Sequence, residues 1–151
     1  MSRVSRSSVL LLVAVLLLMA LAGTASAYGG RPLFADLTGA AEVPLGDPDG
    51  SGMAMITLNQ GQGEVCWTIQ VSNITLPARA AHIHIAPEGV AGPIVVPLSA
   101  PDESGLAAGC TSADPALIKA IRQNPESYYI NVHNADFPAG AARGQLYKPE
   151  D

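Results

Sequence analysis

Hydrophobic and polar residues alternate in short runs along most of the chain, and this period of two is typical of half-buried β-strands. Turn-forming sequences rich in Gly, Asp, Asn and Pro separate the runs. One segment follows a helical period instead, with Asp114 as the N-cap, Pro115 in the first turn and Asn124-Pro125 ending the helix by about Gln123. The alternation predicts strands at Leu33–Thr38, Met53–Leu58, Glu64–Val71, Ala80–Ile85, Ile94–Leu98, Tyr128–His133 and Arg143–Tyr147.

Many short strands with a single short helix are typical of an all-β fold. The chain has 151 residues, of which 48% are hydrophobic and 14% charged. This length supports one hydrophobic core and is short for two domains. We therefore predict one domain over residues 28–151, an antiparallel β-sandwich with one short helix.

The first 27 residues have the organisation of a secretory signal peptide. Arg3 and Arg6 form a basic start, Val9–Ala22 is an uninterrupted apolar stretch, and Ala25-Ser26-Ala27 is a suitable cleavage site. The apolar stretch is shorter than the ~18–20 residues of a spanning helix, so an uncleaved anchor is the less favoured alternative. We expect a secreted or extracytoplasmic protein that begins at Tyr28 and has no membrane attachment after cleavage.

The charge balance argues against nucleic acid as a partner. Removal of Arg3 and Arg6 lowers Lys+Arg from 8 to 6 against 13 Asp+Glu, which changes the formal charge from −5 to −7. Binding to a phosphate backbone requires clustered Lys and Arg. A protein or a component of the cell envelope is the expected kind of partner, and the sequence does not identify it.

Cys66 and Cys110 are the two cysteines of the chain. An exported protein meets an oxidising compartment, where an even number of cysteines favours cross-linking. We predict a Cys66–Cys110 disulfide, and two buried free thiols are the alternative. Neither cysteine belongs to a CxxC motif, so the sequence offers no redox motif or thiolate zinc site.

The pattern of the strand Ala80–Ile85 places its two histidines on one face. Ala81 and Ile83 alternate with His82 and His84, so both imidazoles point away from the core if Ile83 enters it. The strand Tyr128–His133 sorts in the same way. Its apolar set is Tyr128, Ile130 and Val132, and the set on the other face is Tyr129, Asn131 and His133.

Side chains two residues apart on a strand are ~6.5–7 Å apart at their roots, so His82 and His84 are close enough to share one metal ion. Imidazole suits copper and zinc, and His133 from a neighbouring strand would complete a site of three nitrogens with an open position. The alternative is that these histidines are solvated or hydrogen-bonded residues on the outer face of a sheet. Spacing alone does not make the two strands neighbours.

Five motifs occur in a fixed order over residues 33–147. They are Leu37-Thr38-Gly39-Ala40-Ala41-Glu42-Val43-Pro44, Ala81-His82-Ile83-His84, Gly92-Pro93-Ile94-Val95-Val96-Pro97-Leu98, Tyr129-Ile130-Asn131-Val132-His133 and Gly140-Ala141-Ala142-Arg143-Gly144-Gln145-Leu146. Together they resemble the CHRD domain, a module named from the chordin proteins and common as a lone domain in exported bacterial proteins.

The CHRD domain is in turn distantly similar to Cu/Zn superoxide dismutase, which implies a Greek-key sandwich. By that resemblance His82 and His84 match copper-ligand positions, and His133 is a candidate further ligand. The turn Gly140–Arg143 matches one whose arginine guides a small anion. The dismutase zinc site needs additional histidines, and this chain has three in all.

The sequence favours a binding or structural module, with or without a metal ion, and a copper-dependent dismutase-like enzyme is the alternative. Fold similarity does not carry function, and we assign no catalytic residue. Arg143 is expected to tie the turn to loop carbonyls or to Asp136, with anion contact as its other role. For Glu42 we expect a residue satisfied by the local backbone.

Overall fold

The computed structural model describes residues 31–150. The predicted signal segment lies outside this range. Within it, the strands are β1 Leu33–Thr38, β2 Ser51–Asn59, β3 Glu64–Ser72, β4 Ala80–Ile85, β5 Ile94–Leu98, β6 Leu106–Ser112, β7 Tyr128–His133 and β8 Ala142–Gln145, and the helix α1 is Pro115–Gln123.

The strands form one antiparallel sheet in the order β5-β4-β7-β8-β1-β2-β3-β6. The sheet curls until its edge strands approach each other, and near this closure the indole nitrogen of Trp67 donates to the hydroxyl of Ser99 at 3.1 Å. The result is a sandwich-like, nearly closed barrel. The prediction of an all-β antiparallel fold with one helix is confirmed.

The helix α1 covers part of the core, as its sequence predicts. Asp114 caps it by accepting a hydrogen bond from the amide of Ala116 at 2.7 Å. Ile118 and Ile121 are fully buried, and the helix packs against β2 and β3. Among residues 31–150, no helix has the length and apolar character required to cross a membrane.

The strand β6 was not predicted. Its sequence from Leu106 to Ser112 is rich in Ala, Gly and Ser, which have weak strand propensity and give no clear alternation. Pairing with β3 makes this segment a strand, because seven consecutive residues from Gln70 to Glu64 take partners in it. The indole ring of Trp67 packs on Gly109, where any side chain would collide with the ring.

The predicted disulfide is present and joins β3 to β6. Cys66 and Cys110 are register partners, with an S–S distance of 2.11 Å. The described residues contain no free cysteine, so the alternative of two thiols is wrong. The bond anchors an edge strand that has little apolar side-chain area of its own.

Candidate metal centre

The outer face of β4, β7 and β8 carries polar side chains in two adjoining rows. Register pairing between non-consecutive strands creates the rows, because β7 lies between β4 and β8. Side chains that are direct register partners project from the same face of a sheet and touch. One row is Arg143, Asn131 and His82, and the next is Gln145, Tyr129 and His84.

This face points away from the core but is not open to solvent. The relative exposure is 1% for Arg143, 2% for Asn131 and 7% for His84. Residues 86–93 and 134–141, which follow β4 and β7, supply the backbone groups that contact these side chains. The three histidines are hydrogen-bonded residues on the outer face of the sheet, and His84 among them is buried.

The structure brings His82, His84 and His133 together. One ring nitrogen from each lies within 4.8 Å of the others. Nδ1 of His82 is 3.2 Å from Nε2 of His133, and the two ring centroids are 5.1 Å apart. Two ligands at ~2.0–2.1 Å from one metal ion, at angles of ~90–110°, are ~2.8–3.4 Å apart, so this pair has the spacing of neighbouring ligands.

The second ring nitrogen is occupied by a main-chain carbonyl in two of the three histidines. Nδ1 of His84 donates to the carbonyl of Gly92 at 2.8 Å, and Nδ1 of His133 donates to the carbonyl of Pro138 at 3.1 Å. Such bonds select the tautomer that leaves Nε2 as a lone-pair donor. Nε2 of His84 is buried and has no hydrogen-bond partner among residues 31–150.

The environment also favours neutral imidazoles. Burial, together with the nearby His133 and His84, lowers the pKa of His82 to about 4. Burial lowers the pKa of His133 as well, with the Pro138 carbonyl opposing the change. Neutral rings are the form that binds a metal ion, so at pH 7 little proton release is required.

Arg143 holds the loop over the site and has little freedom to contact a solute. Its guanidinium donates to the carbonyls of Val90 at 2.9 Å and Pro87 at 3.0 Å. Its Cζ lies 3.4 Å from the ring centroid of Tyr129, and that ring stacks on His84 with centroids 4.7 Å apart. Arg143 therefore helps to fix the plane of the His84 imidazole through Tyr129.

Glu42 lies buried against Asn131 and Gly140, with 4% relative exposure. Burial raises its pKa to about 7, while the charge of Arg143 and hydrogen bonds from the Val43 backbone and the Asn131 side chain oppose the change. Its Oε1 has no hydrogen-bond partner within residues 31–150. The local backbone alone does not satisfy this carboxyl group, contrary to our expectation.

Sequence reasoning identified the three histidines and missed the residues that support them. Tyr129 and Asn131 belong to the same off-core set as His133, so strand parity was the signal that could have indicated them. Glu42 reaches the site from the 3₁₀ turn Gly39–Ala41 after β1, and no local pattern connects it with β7. A second cluster of potential ligands contains Glu64, but its two sulfurs form the disulfide and are bonded to each other.

The sequence profile of the CHRD domain matches residues 33–146. This range begins with the first strand and extends one residue beyond the last, and it includes all three histidines. No curated protein and no solved structure shows a significant match to the chain.

Proposed function

Because this chain belongs to the CHRD-domain family, a family of structural and binding modules, we propose that it is an exported module that binds one metal ion. His82, His84 and His133 would hold the ion. A copper ion would bring one-electron redox chemistry to the site, and zinc would bring Lewis acidity. Copper is expected to bind more tightly than zinc by the usual affinity order.

The convergence of three ring nitrogens within 4.8 Å is the observation that carries the proposal. Carbonyl groups hold the distal nitrogens of His84 and His133, which is the arrangement that orients metal-binding histidines in proteins generally. The donor set thus fits Cu(II) or Zn(II).

Binding is favoured over dismutation. A dismutase-like mechanism would use Arg143 to attract a small anion, but two loop carbonyls and the face of Tyr129 occupy this guanidinium. Its relative exposure is 1%. The formal charge of −7 expected for the mature chain, from the loss of two arginines from a chain of charge −5, also repels anions.

Export is part of the proposal because it accounts for the disulfide. Disulfides persist in extracytoplasmic compartments and are rare in the cytosol. The basic start, the apolar stretch and the Ala25-Ser26-Ala27 sequence support the same compartment.

Calorimetric titration of metal-free protein with Cu(II) and Zn(II) tests the proposal. The parent should bind one Cu(II) per chain. The double variant His82→Ala, His84→Ala should lose more than about 100-fold in affinity, which exceeds the 10- to 100-fold typical of removing a supporting residue.

The matched control is Thr68→Ala, Gln70→Ala. It removes two exposed polar side chains at the same spacing on β3, and it should bind like the parent. Equal and weak binding by the parent and the histidine variant would overturn the proposal.

A further inference from the structure

The lone pair of His133 Nε2 faces a second polar atom besides His82. Oδ1 of Asn131 lies 3.0 Å from this nitrogen, and Asn131 is the direct register partner of His82 on the adjacent strand. Asn131 has 2% relative exposure, so solvent does not compete for the contact. The carboxamide oxygen and the His82 ring therefore meet at Nε2 of His133.

The polar atoms around Nε2 of His133 include more hydrogen-bond acceptors than donors. A carbonyl oxygen can only accept, so the tautomer of His133 that bonds Pro138 is the one that carries its hydrogen on Nδ1. Nε2 of His133 is then an acceptor that faces another acceptor, the oxygen of Asn131. His82 can offer one N–H toward this pair, and Nε2 of His84 is a further buried lone pair.

Glu42 accounts for the orientation of the Asn131 carboxamide. The oxygen of the Asn131 carboxamide faces His133, which leaves its NH₂ group to donate to the carboxyl group of Glu42. The carboxyl group of Glu42 rests on Gly140, where a Cβ atom would overlap its oxygens. The backbone at Gly140 has φ of +149°, which also disfavours other residues.

We infer that Asn131 supplies a fourth ligand, its side-chain oxygen, to the metal ion, and that Glu42 is the positioning residue that aims it. The inference rests on the metal-binding function proposed above. A cation at the meeting point would resolve the contact between acceptors. The spacings of 3.0 Å and 3.2 Å around His133 Nε2 both match the ~2.8–3.4 Å between neighbouring ligands.

A set of three nitrogens and one oxygen discriminates between oxidation states of copper. An amide oxygen is a hard ligand that suits divalent ions, whereas Cu(I) prefers soft ligands and accepts imidazoles alone. The site is therefore specific for the divalent ion, and Asn131 is the residue that makes it so. Loss of the oxygen should weaken Cu(II) binding more than Cu(I) binding.

The test measures Cu(II) and Cu(I) affinities of the parent, Asn131→Ala and Asn131→Asp by competition with chelators. Asn131→Ala should lose about 10- to 100-fold in Cu(II) affinity and much less in Cu(I) affinity. Asn131→Asp keeps an oxygen ligand and should retain the preference for Cu(II). Asn59→Ala removes a carboxamide at the end of β2, away from the ligand set, and it should leave the ratio of the two affinities unchanged.

Electron paramagnetic resonance in water enriched in the magnetic isotope of oxygen detects whether water is bound to Cu(II). This signal would not change if Asn131 had only a structural role. A bound water should replace the amide oxygen in Asn131→Ala and broaden the Cu(II) spectrum. The parent and Asn131→Asp should show no such coupling. Glu42→Gln keeps all four ligands, but the Asn131 carboxamide is no longer held in one orientation. Water should therefore replace the amide oxygen in part of the molecules and give a weaker broadening of the Cu(II) spectrum. This variant also provides the test if Asn131→Ala does not fold.

The outcomes separate this inference from the proposed function. The inference would be overturned if Asn131→Ala showed an unchanged Cu(II)-to-Cu(I) affinity ratio and no coupling to bound water. The proposed metal site would still stand in that case if the double histidine variant lost copper binding. An unchanged spectrum in Glu42→Gln would overturn the positioning role. Absence of copper binding by the parent would overturn both.

Discussion

At the scale of single residues, buried charge organises the candidate site. Arg143 is a fully buried cation whose hydrogen bonds go to loop carbonyls and whose plane lies on an aromatic ring. Guanidinium groups suit such positions because they are planar, weakly hydrated and carry several fixed donors. Asp136, the partner that the sequence suggested, bonds the hydroxyl of Thr75 instead.

Replacement of Arg143 by Lys should therefore destabilise the protein although the charge is kept. An ammonium group cannot reach both carbonyls and stack on Tyr129, so we expect a loss of about 2–4 kcal/mol in the free energy of unfolding. Urea unfolding measures this. The matched control is Arg122→Lys on the exposed side of α1, which should change stability by less than about 0.5 kcal/mol. Equal effects of the two substitutions would contradict the structural role.

Glu42 should make the stability of the metal-free protein depend on pH. Its pKa is raised from 4.5 to about 7, so between these values the folded protein holds a proton that the unfolded chain has released. Its contribution is fully present below pH 4.5 and is lost as the pH rises through 7. The difference between the parent and Glu42→Gln isolates this effect, because the two proteins have all their other titratable groups in common.

We expect Glu42→Gln to gain on the parent by at most about 3 kcal/mol between pH 4 and pH 8. Urea unfolding at a series of pH values gives the comparison. Parallel stability curves for the two proteins would show that Glu42 keeps an ordinary pKa.

At the scale of elements, the strands with alternating side chains were predictable and the edge strand β6 was not. Alternation in segments such as β4 and β7 reports burial of one face, which is a local property of the sequence. The composition of β6 carries no such signal, and the strand depends on pairing with β3 and on the disulfide. The disulfide therefore stabilises the element that has the least packing of its own.

Removal of the disulfide should lower the free energy of unfolding, because the unfolded chain gains conformational entropy when the cross-link is absent. The cysteines are 44 residues apart in sequence, and a loop of that size corresponds to about 4 kcal/mol in the chain-entropy model. We expect Cys66→Ala, Cys110→Ala to lose up to this amount in urea unfolding. The reductant control is decisive: added thiol should destabilise the parent and leave the variant unchanged. Unreduced, denatured parent should also show no reactive thiol.

At the scale of the whole molecule, the domain and the proposed signal segment divide the chain near residue 28. The CHRD-domain match and all eight described strands begin after this point. The mature chain would keep both cysteines and the three histidines, so cleavage would remove no residue of the candidate site.

Expression of the full chain in a bacterial host with an export pathway tests the assignment of the compartment. The protein recovered outside the cytoplasm should begin at Tyr28, because Ala25-Ser26-Ala27 satisfies the small-residue rule for cleavage. Amino-terminal sequencing and intact mass measure this. Ala25→Arg, Ala27→Arg should block processing, and a mass that retains the first 27 residues in the parent would contradict the prediction.

The sequence by itself determined the alternating strands, the faces of their side chains, the helix and the candidate ligands. Strand alternation placed His82, His84 and His133 away from the core, and the two cysteines and the capped helix were visible from local patterns. These properties depend on residues that are close in sequence, whose side-chain directions follow from the strand period.

Only the tertiary structure decided that β7 lies beside β4 and that loops cover their outer face. Pairing between strands distant in sequence depends on packing of the whole core, which no local period encodes. The same packing places Glu42 against Asn131. It also buries Arg143, which therefore bonds loop carbonyls and is not available to guide an anion. The histidines could be read from the chain, but their supporting residues exist as a set only after long-range contacts form.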